Sequence, residues 1–134
     1  MRKNNGTLNP ALSRVISETG HTDEIVITDA GLPIPAGVER IDFALKPGTP
    51  GFLEVLDVVL NEMEVEGVVL AREIQDQSPA MFAEIKSRFD ELGIALRLIP
   101  HTDFKERTKG ARAAVRSGET TSYANVILQA GVVY

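Results

Sequence analysis

The 134-residue chain contains no cysteine. That excludes disulfides, thiolate nucleophiles and cysteine-based zinc sites together, and it fits a reducing compartment. No apolar run approaches the ~18–20 residues needed to cross a bilayer. Arg2 and Lys3 are followed by no apolar stretch of the kind a secretion signal carries, so the acceptor spacing Asn5-Gly6-Thr7 has no glycosylation to serve. Positive charge is not concentrated anywhere. With 14 Lys and Arg scattered against 19 acids the net charge is −5, and no nucleic-acid partner is expected, because backbone binding needs a concentrated basic surface. A glycine-rich phosphate loop, an HExxH pair, a nucleophile elbow and a dinucleotide fingerprint are all missing. Nucleotide chemistry and metal hydrolysis lose their sequence support accordingly. Internal repeats, low-complexity tracts and linkers are absent as well.

What is present reads as one domain over residues 1–134, long enough to bury a real core and, at 43% hydrophobic and 25% charged, ordinary for a globular protein. Asn9-Pro10 is a helix entry, since Asn can cap and Pro suits the first helical position. Leu12, Val15 and Ile16 share a face, and Gly20 is placed to end the helix. Residues 24–28 form a strand with three β-branched apolar residues in a row, the pattern of a strand buried on both faces. Residues 31–40 read as loop. Phe52, Val55, Leu56, Val59, Leu60 and Met63 keep the spacing of an amphipathic helix.

A strand is expected at 67–71. Ser78-Pro79 starts a helix that Gly93 closes, and residues 94–99 make a further strand. Asp103 and Glu106 have capping-box spacing for a short helix. Two late strands are expected near 112–117 and 125–133. Alternation of this kind predicts an α/β fold with a largely parallel sheet and helices on both faces.

In such sheets ligands bind outside the carboxyl ends of the strands. Asp29 follows the first strand, His101 follows the 94–99 strand, and Tyr123 and Asn125 flank the entry to the last. His21 precedes the first strand, so another edge or a neighbouring subunit must bring it into a shared site. Each residue also has a plain structural reading. His21 can favour a helix C-terminus. Asp29 can make an Asx turn. His101 can be a solvated residue ahead of a cap, Tyr123 a half-buried aromatic and Asn125 a turn residue. Arg116 and Glu119 read as surface charges, and Glu62, Glu64 and Glu66 as a solvated acidic cluster and not a metal site.

Taken together, Gly20-His21-Thr22-Asp23, Asp29-Ala30-Gly31-Leu32-Pro33-Ile34-Pro35 and Ser122-Tyr123-Ala124-Asn125-Val126-Ile127-Leu128, with Ala130-Gly131-Val132, closely resemble the ribose branch of the ribose pyranase/fucose mutarotase family. Arg40-Ile41-Asp42 and Asn61-Glu62-Met63 also look like that branch, and the match runs from about Leu8 to Tyr134. The resemblance implies a cytosolic isomerase, needing no cofactor, that interconverts pyranose and furanose forms of D-ribose. His21 matches the catalytic histidine; Asp29, His101, Tyr123, Ala124 and Asn125 match sugar-binding positions. A role for Asp29 in orienting His21 or holding a hydroxyl would fit. The resemblance also implies a ring-based homo-oligomer, commonly a decamer, with its site near a subunit boundary.

The fucose branch shares the Gly-His-x-Asp start. Its first loop typically reads Asp-Ala-His where this chain has Asp29-Ala30-Gly31, and its late motif tends to have glycine where this chain has Ala124. Both differences favour ribose. The rival readings are a fucose-type mutarotase, a non-catalytic sugar-binding module and a purely structural subunit.

Overall fold

The computed structural model describes residues 1–134. Its elements run α1 (Pro10–Glu18), β1 (Glu24–Thr28), β2 (Glu39–Asp42), α2 (Phe52–Glu62), β3 (Val65–Ala71), α3 (Ile74–Gln77), α4 (Pro79–Glu91), β4 (Leu96–Ile99), α5 (His101–Arg107), β5 (Ala113–Arg116) and β6 (Val126–Ala130). All six strands join one sheet in the order β2-β5-β1-β6-β3-β4. Five run parallel; β6 is antiparallel to both of its neighbours, β1 and β3. The largely parallel α/β architecture expected from the alternation of elements is the one observed.

Local sequence explains most boundaries. The Asn9 side chain accepts the Leu12 N–H at 2.9 Å and Pro10 opens α1. In α2 the apolar stripe buries Phe52, Val55, Leu56 and Val59, each burial contributing about 1.5–3 kcal/mol. Gly93 takes a positive φ of 71° after α4, the left-handed conformation that suits glycine. In β1, Ile25 and Ile27 face a large core under α1, α2 and α4, whereas Val26 joins a smaller core on the opposite face. That second face is covered by Phe104 of α5 and by Leu32 and Val38 of the long loop. Helices therefore lie on both faces, but unequally.

Several expectations are corrected. Residues 39–42 are an edge strand, where the sequence alone predicts a loop running to residue 40. Only Ile41 of the four is buried, too little apolar pattern to reveal a strand. The short α3 had no signal of its own. Gly20 does not close α1: Thr19 is the cap, its hydroxyl donating to the Val15 carbonyl at 2.6 Å, and the left-handed residue is Thr22 with φ 70°. The capping box at Asp103 and Glu106 does not form. α5 starts at His101, which puts Asp103 inside the first turn with nothing to cap. The last strand stops at Ala130, well short of residue 133.

Candidate functional site

Because β6 runs against its neighbours, its first residues lie at the same sheet edge as the last residues of β1. Ile27 pairs with Val126, which sets Asp29 beside Asn125. The Asp29 N–H donates to Asn125 Oδ1 at 2.8 Å, and Asn125 Nδ2 donates to Asp29 Oδ2 at 3.2 Å. This reciprocal pair fixes the amide orientation, since the carboxylate can only accept. Asn125 is buried. The other oxygen of Asp29 accepts N–H groups from Gly31 at 3.0 Å and Leu32 at 2.8 Å. Asp29 is thus an Asx-turn residue, and one that also lines a cleft.

That cleft measures about 520 Å³ and is lined by Asp29, Gly31, His101, Glu119, Tyr123 and Asn125 among others. The His101 ring stacks on Phe104 at 6.2 Å and meets the edge of Tyr123 at 5.0 Å. Its Nδ1 is buried without a hydrogen-bond partner. Burial, and then the charge of Lys105, push its imidazole below the usual histidine value, with Glu73 and Asp29 pulling weakly the other way. A neutral ring that keeps its lone pair on the buried Nδ1 leaves Nε2–H as the donor. The main-chain N–H of His101 donates to the Glu73 carboxylate at 2.9 Å, which pins the start of α5.

Tyr123 has a φ of 63°. A bulky residue in the left-handed region costs on the order of 1–2 kcal/mol, and here it aims the ring at the cleft. The turn is closed by the Asn125 N–H, which donates to the Tyr123 carbonyl at 2.8 Å. Ala124 between them is fully buried and its methyl belongs to the large core. It does not line the cleft itself, and its part is to hold the turn that sets Tyr123 and Asn125 there.

Two residues read as surface charges organise this edge instead. Arg116 Nε donates to the Ala30 carbonyl at 3.1 Å while its other nitrogen reaches Asp42. The Glu119 carboxylate accepts the Phe52 N–H at 3.0 Å, at the start of α2, and the Thr121 hydroxyl at 2.8 Å. Burial would raise its carboxyl, but these bonds and those from the Thr120 and Thr121 amides outweigh it and hold the group below the ordinary carboxylate range. Its position after a glycine in a polar loop gave no sequence signal. The two chain segments cross at Gly118, where an added Cβ would fall 2.4 Å from the Thr49 carbonyl oxygen.

His21 is elsewhere. It precedes β1, so the whole strand, ~17 Å at five residues, separates it from Asp29. Its Nε2 lies 3.0 Å from both oxygens of Glu66, and both side chains are about half exposed. An orienting role for Asp29 on the His21 of its own chain is therefore ruled out by distance. The acidic cluster is not simply solvated either: Glu66 holds His21, and Glu62 accepts the Thr7 N–H and pairs with Arg2. No group of three His, Asp or Glu side chains is placed to hold a metal ion. No helix is long and apolar enough to cross a membrane.

Comparison with known proteins agrees with the fold. The model of the RbsD / FucU transport protein family matches residues 2–133. D-ribose pyranase of Laribacter hongkongensis is 54% identical over 132 residues, covering 98% of this chain and 99% of its own. D-ribose pyranase of Geobacillus kaustophilus is 48% identical, with 98% and 96% covered. Among solved structures, Bacillus subtilis RbsD complexed with D-ribose superposes with a TM-score of 0.94 at 44% identity, covering 99% of this chain and all of that one. The fucose mutarotase of Streptococcus pneumoniae, in complex with L-fucose, gives 0.84 at 28% identity with both chains fully covered.

Proposed function

The chain belongs to the RbsD / FucU transport protein family, and from that membership we propose that it is an isomerase interconverting the pyranose and furanose forms of D-ribose. The observation that carries this reading is full-length likeness, at about half identity, to proteins named D-ribose pyranase, joined to a polar cleft at the sheet edge. The fucose alternative is weaker, because the likeness to the fucose mutarotase is 28% against 44% for the ribose-complexed relative.

The chemistry needs only proton transfers. A base takes the proton from the anomeric hydroxyl, the C1–O5 bond breaks as C1=O forms, and O5 receives a proton. The aldehyde then closes when O4 attacks C1, losing its proton as the carbonyl oxygen gains one. Protons balance over the cycle, and neither a redox step nor a cofactor is involved. A positioned imidazole contributes about 10²–10⁴-fold to such transfers, and that role falls to His21. Asp29, the His101 Nε2–H, Tyr123 and Asn125 are assigned to the sugar hydroxyls, with Ala124, buried between the last two, holding their turn in place.

Since His21 lies at the opposite end of β1 from the cleft, its imidazole serves the cleft of another copy. The reading accordingly includes a homo-oligomer, expected as a decamer, with each site at a subunit boundary. A cytosolic setting belongs to the same proposal and is checked by fractionation.

NMR saturation transfer on D-ribose at equilibrium tests it. Wild-type protein should accelerate pyranose–furanose exchange, and His21→Ala should lose about 10²–10⁴-fold of that rate. Mixing His21→Ala with Asp29→Ala subunits, each inactive alone, should restore about a quarter of the sites, the statistical share for random assembly of a closed oligomer. Ribose binding without accelerated exchange would instead make the protein a sugar-binding module.

A further inference from the structure

The hydrogen bond to His21 comes from a residue that the backbone presents in an unusual way. In the ladder between β3 and β6, Val65 faces Ala130 and Gly67 faces Gln129, so the register shifts and Glu66 is the extra, unpaired residue of a bulge. Bulges re-aim a side chain and recur beside active sites. Gly67 is the residue that lets the strands close up here: a Cβ on it would fall 2.7 Å from Gln129 Oε1 and 3.3 Å from Gln129 Cβ. Gly131 packs its main chain on the other side, leaving only 3.3 Å between an added Cβ and Glu66 Cβ. The Glu66 side chain is thus bounded on one side by the Gly131 main chain and is otherwise about half exposed.

His21 is anchored to the same strand end. The Thr22 N–H donates to the Ala130 carbonyl at 2.9 Å, and the Ala130 N–H donates back to Asp23 at 2.8 Å. Asp23 in turn accepts the Gly20 N–H at 2.9 Å and Arg112 Nε at 3.0 Å. The turn carrying the imidazole and the bulge carrying the acid are thus both fastened to the last residues of β6. Their 3.0 Å contact is between two side chains whose backbones are fixed relative to one another.

We propose that Glu66 is the positioning residue for the acid–base histidine: it holds His21 Nε2–H, so that Nδ1 is the ring nitrogen through which protons come and go. The inference rests on the reading that His21 is the acid–base group. A carboxylate has only acceptors, so the nitrogen facing it must carry a hydrogen in the neutral ring and in the cation alike. The variable proton is left to Nδ1. Glu66 orients the ring and never touches the sugar.

The test uses the full-length protein with Glu66→Ala and Glu66→Gln. Saturation transfer should show kcat down by about 100-fold or less for Glu66→Ala, the scale of a misplaced catalytic group, with KM unchanged. Glu66→Gln keeps an acceptor oxygen and should lose less. Independently of activity, ¹⁵N-resolved spectra of the neutral wild-type ring should show the hydrogen on Nε2 and a lone pair on Nδ1, with Nε2–H protected from exchange; that protection should vanish in Glu66→Ala. A folded Glu66→Ala with wild-type kcat, a rise in KM alone, or a wild-type ring with its hydrogen on Nδ1 would each overturn the proposal. Failure of the proposed function is told apart because wild-type protein itself would then leave exchange unaccelerated. Should Glu66→Ala not fold, the Glu66→Gln rate and the wild-type ring spectrum still decide.

Discussion

Asn125→Ala should cost about 2–4 kcal/mol of folding stability, a sum built from two hydrogen bonds. The first loss leaves the Asp29 N–H without its acceptor at 2.8 Å. An unpaired donor away from water costs about 1–3 kcal/mol. The second loss is the Nδ2–H donor at 3.2 Å from the Asp29 carboxylate, a charged partner worth about 1.5–3 kcal/mol when dry but less here, since Asp29 keeps partial access to water. The assay is urea unfolding at fixed protein concentration, because assembly shifts apparent stability. At about 3–5 °C per kcal/mol for a chain of this length, the thermal midpoint should fall by roughly 10 °C. A double-mutant cycle with Asp29→Ala separates the two bonds. The main-chain donor survives in Asp29→Ala, so the coupling energy reports only the side-chain contact and should be about 1 kcal/mol. A loss below about 1 kcal/mol for Asn125→Ala, or a cycle showing no coupling, would refute the account of this edge.

Acidification should act through His101. Its folded value lies below the ordinary one, so the unfolded chain binds more protons in that range. Its contribution is full above the unfolded histidine value and is lost as pH falls toward the folded one. Wild-type urea midpoints should therefore drop between about pH 7 and 5 more steeply than those of His101→Gln; parallel curves would sink the assignment. Gly118→Ala, which drives a methyl into the Thr49 and Lys46 carbonyls, should cost about 1–3 kcal/mol. An unchanged thermal midpoint would show that the crossing relaxes freely.

Periodicity carried the elements whose burial is one-sided and long. The stripe from Phe52 to Met63 could be nothing but a helix face, and β1 announced itself with three consecutive branched residues. It failed where burial is slight: β2 hides one residue of four, and its partner in the sheet, β5, decides its existence, not its own composition. The cleft was half legible. Its residues sit at element ends, which sequence can point to, but that Asn125 and Asp29 clasp each other depends on the reversed direction of β6, a fact held in no local window. Arg116 and Glu119 look like ordinary surface charges in one dimension; their partners are the Ala30 carbonyl and the Phe52 amide, remote in the chain. Glu66 was visible only as one acid among three, because a bulge is a property of two paired strands.

The reversed strand β6 has a kinetic consequence. Asn125, just before it, helps shape the cleft, and its last residue, Ala130, fastens the turn that carries His21. If both belong to sugar sites, a single protomer carries two half-sites at opposite ends of one strand. No bending of an isolated chain brings them together. On the proposed reading, specific activity should fall on dilution, following the dissociation of subunits, and should return on concentration with the rate of reassembly. The enzyme's output would then depend on how much of it the cell makes with a power higher than the first, so that a few scattered copies accomplish less than their number suggests.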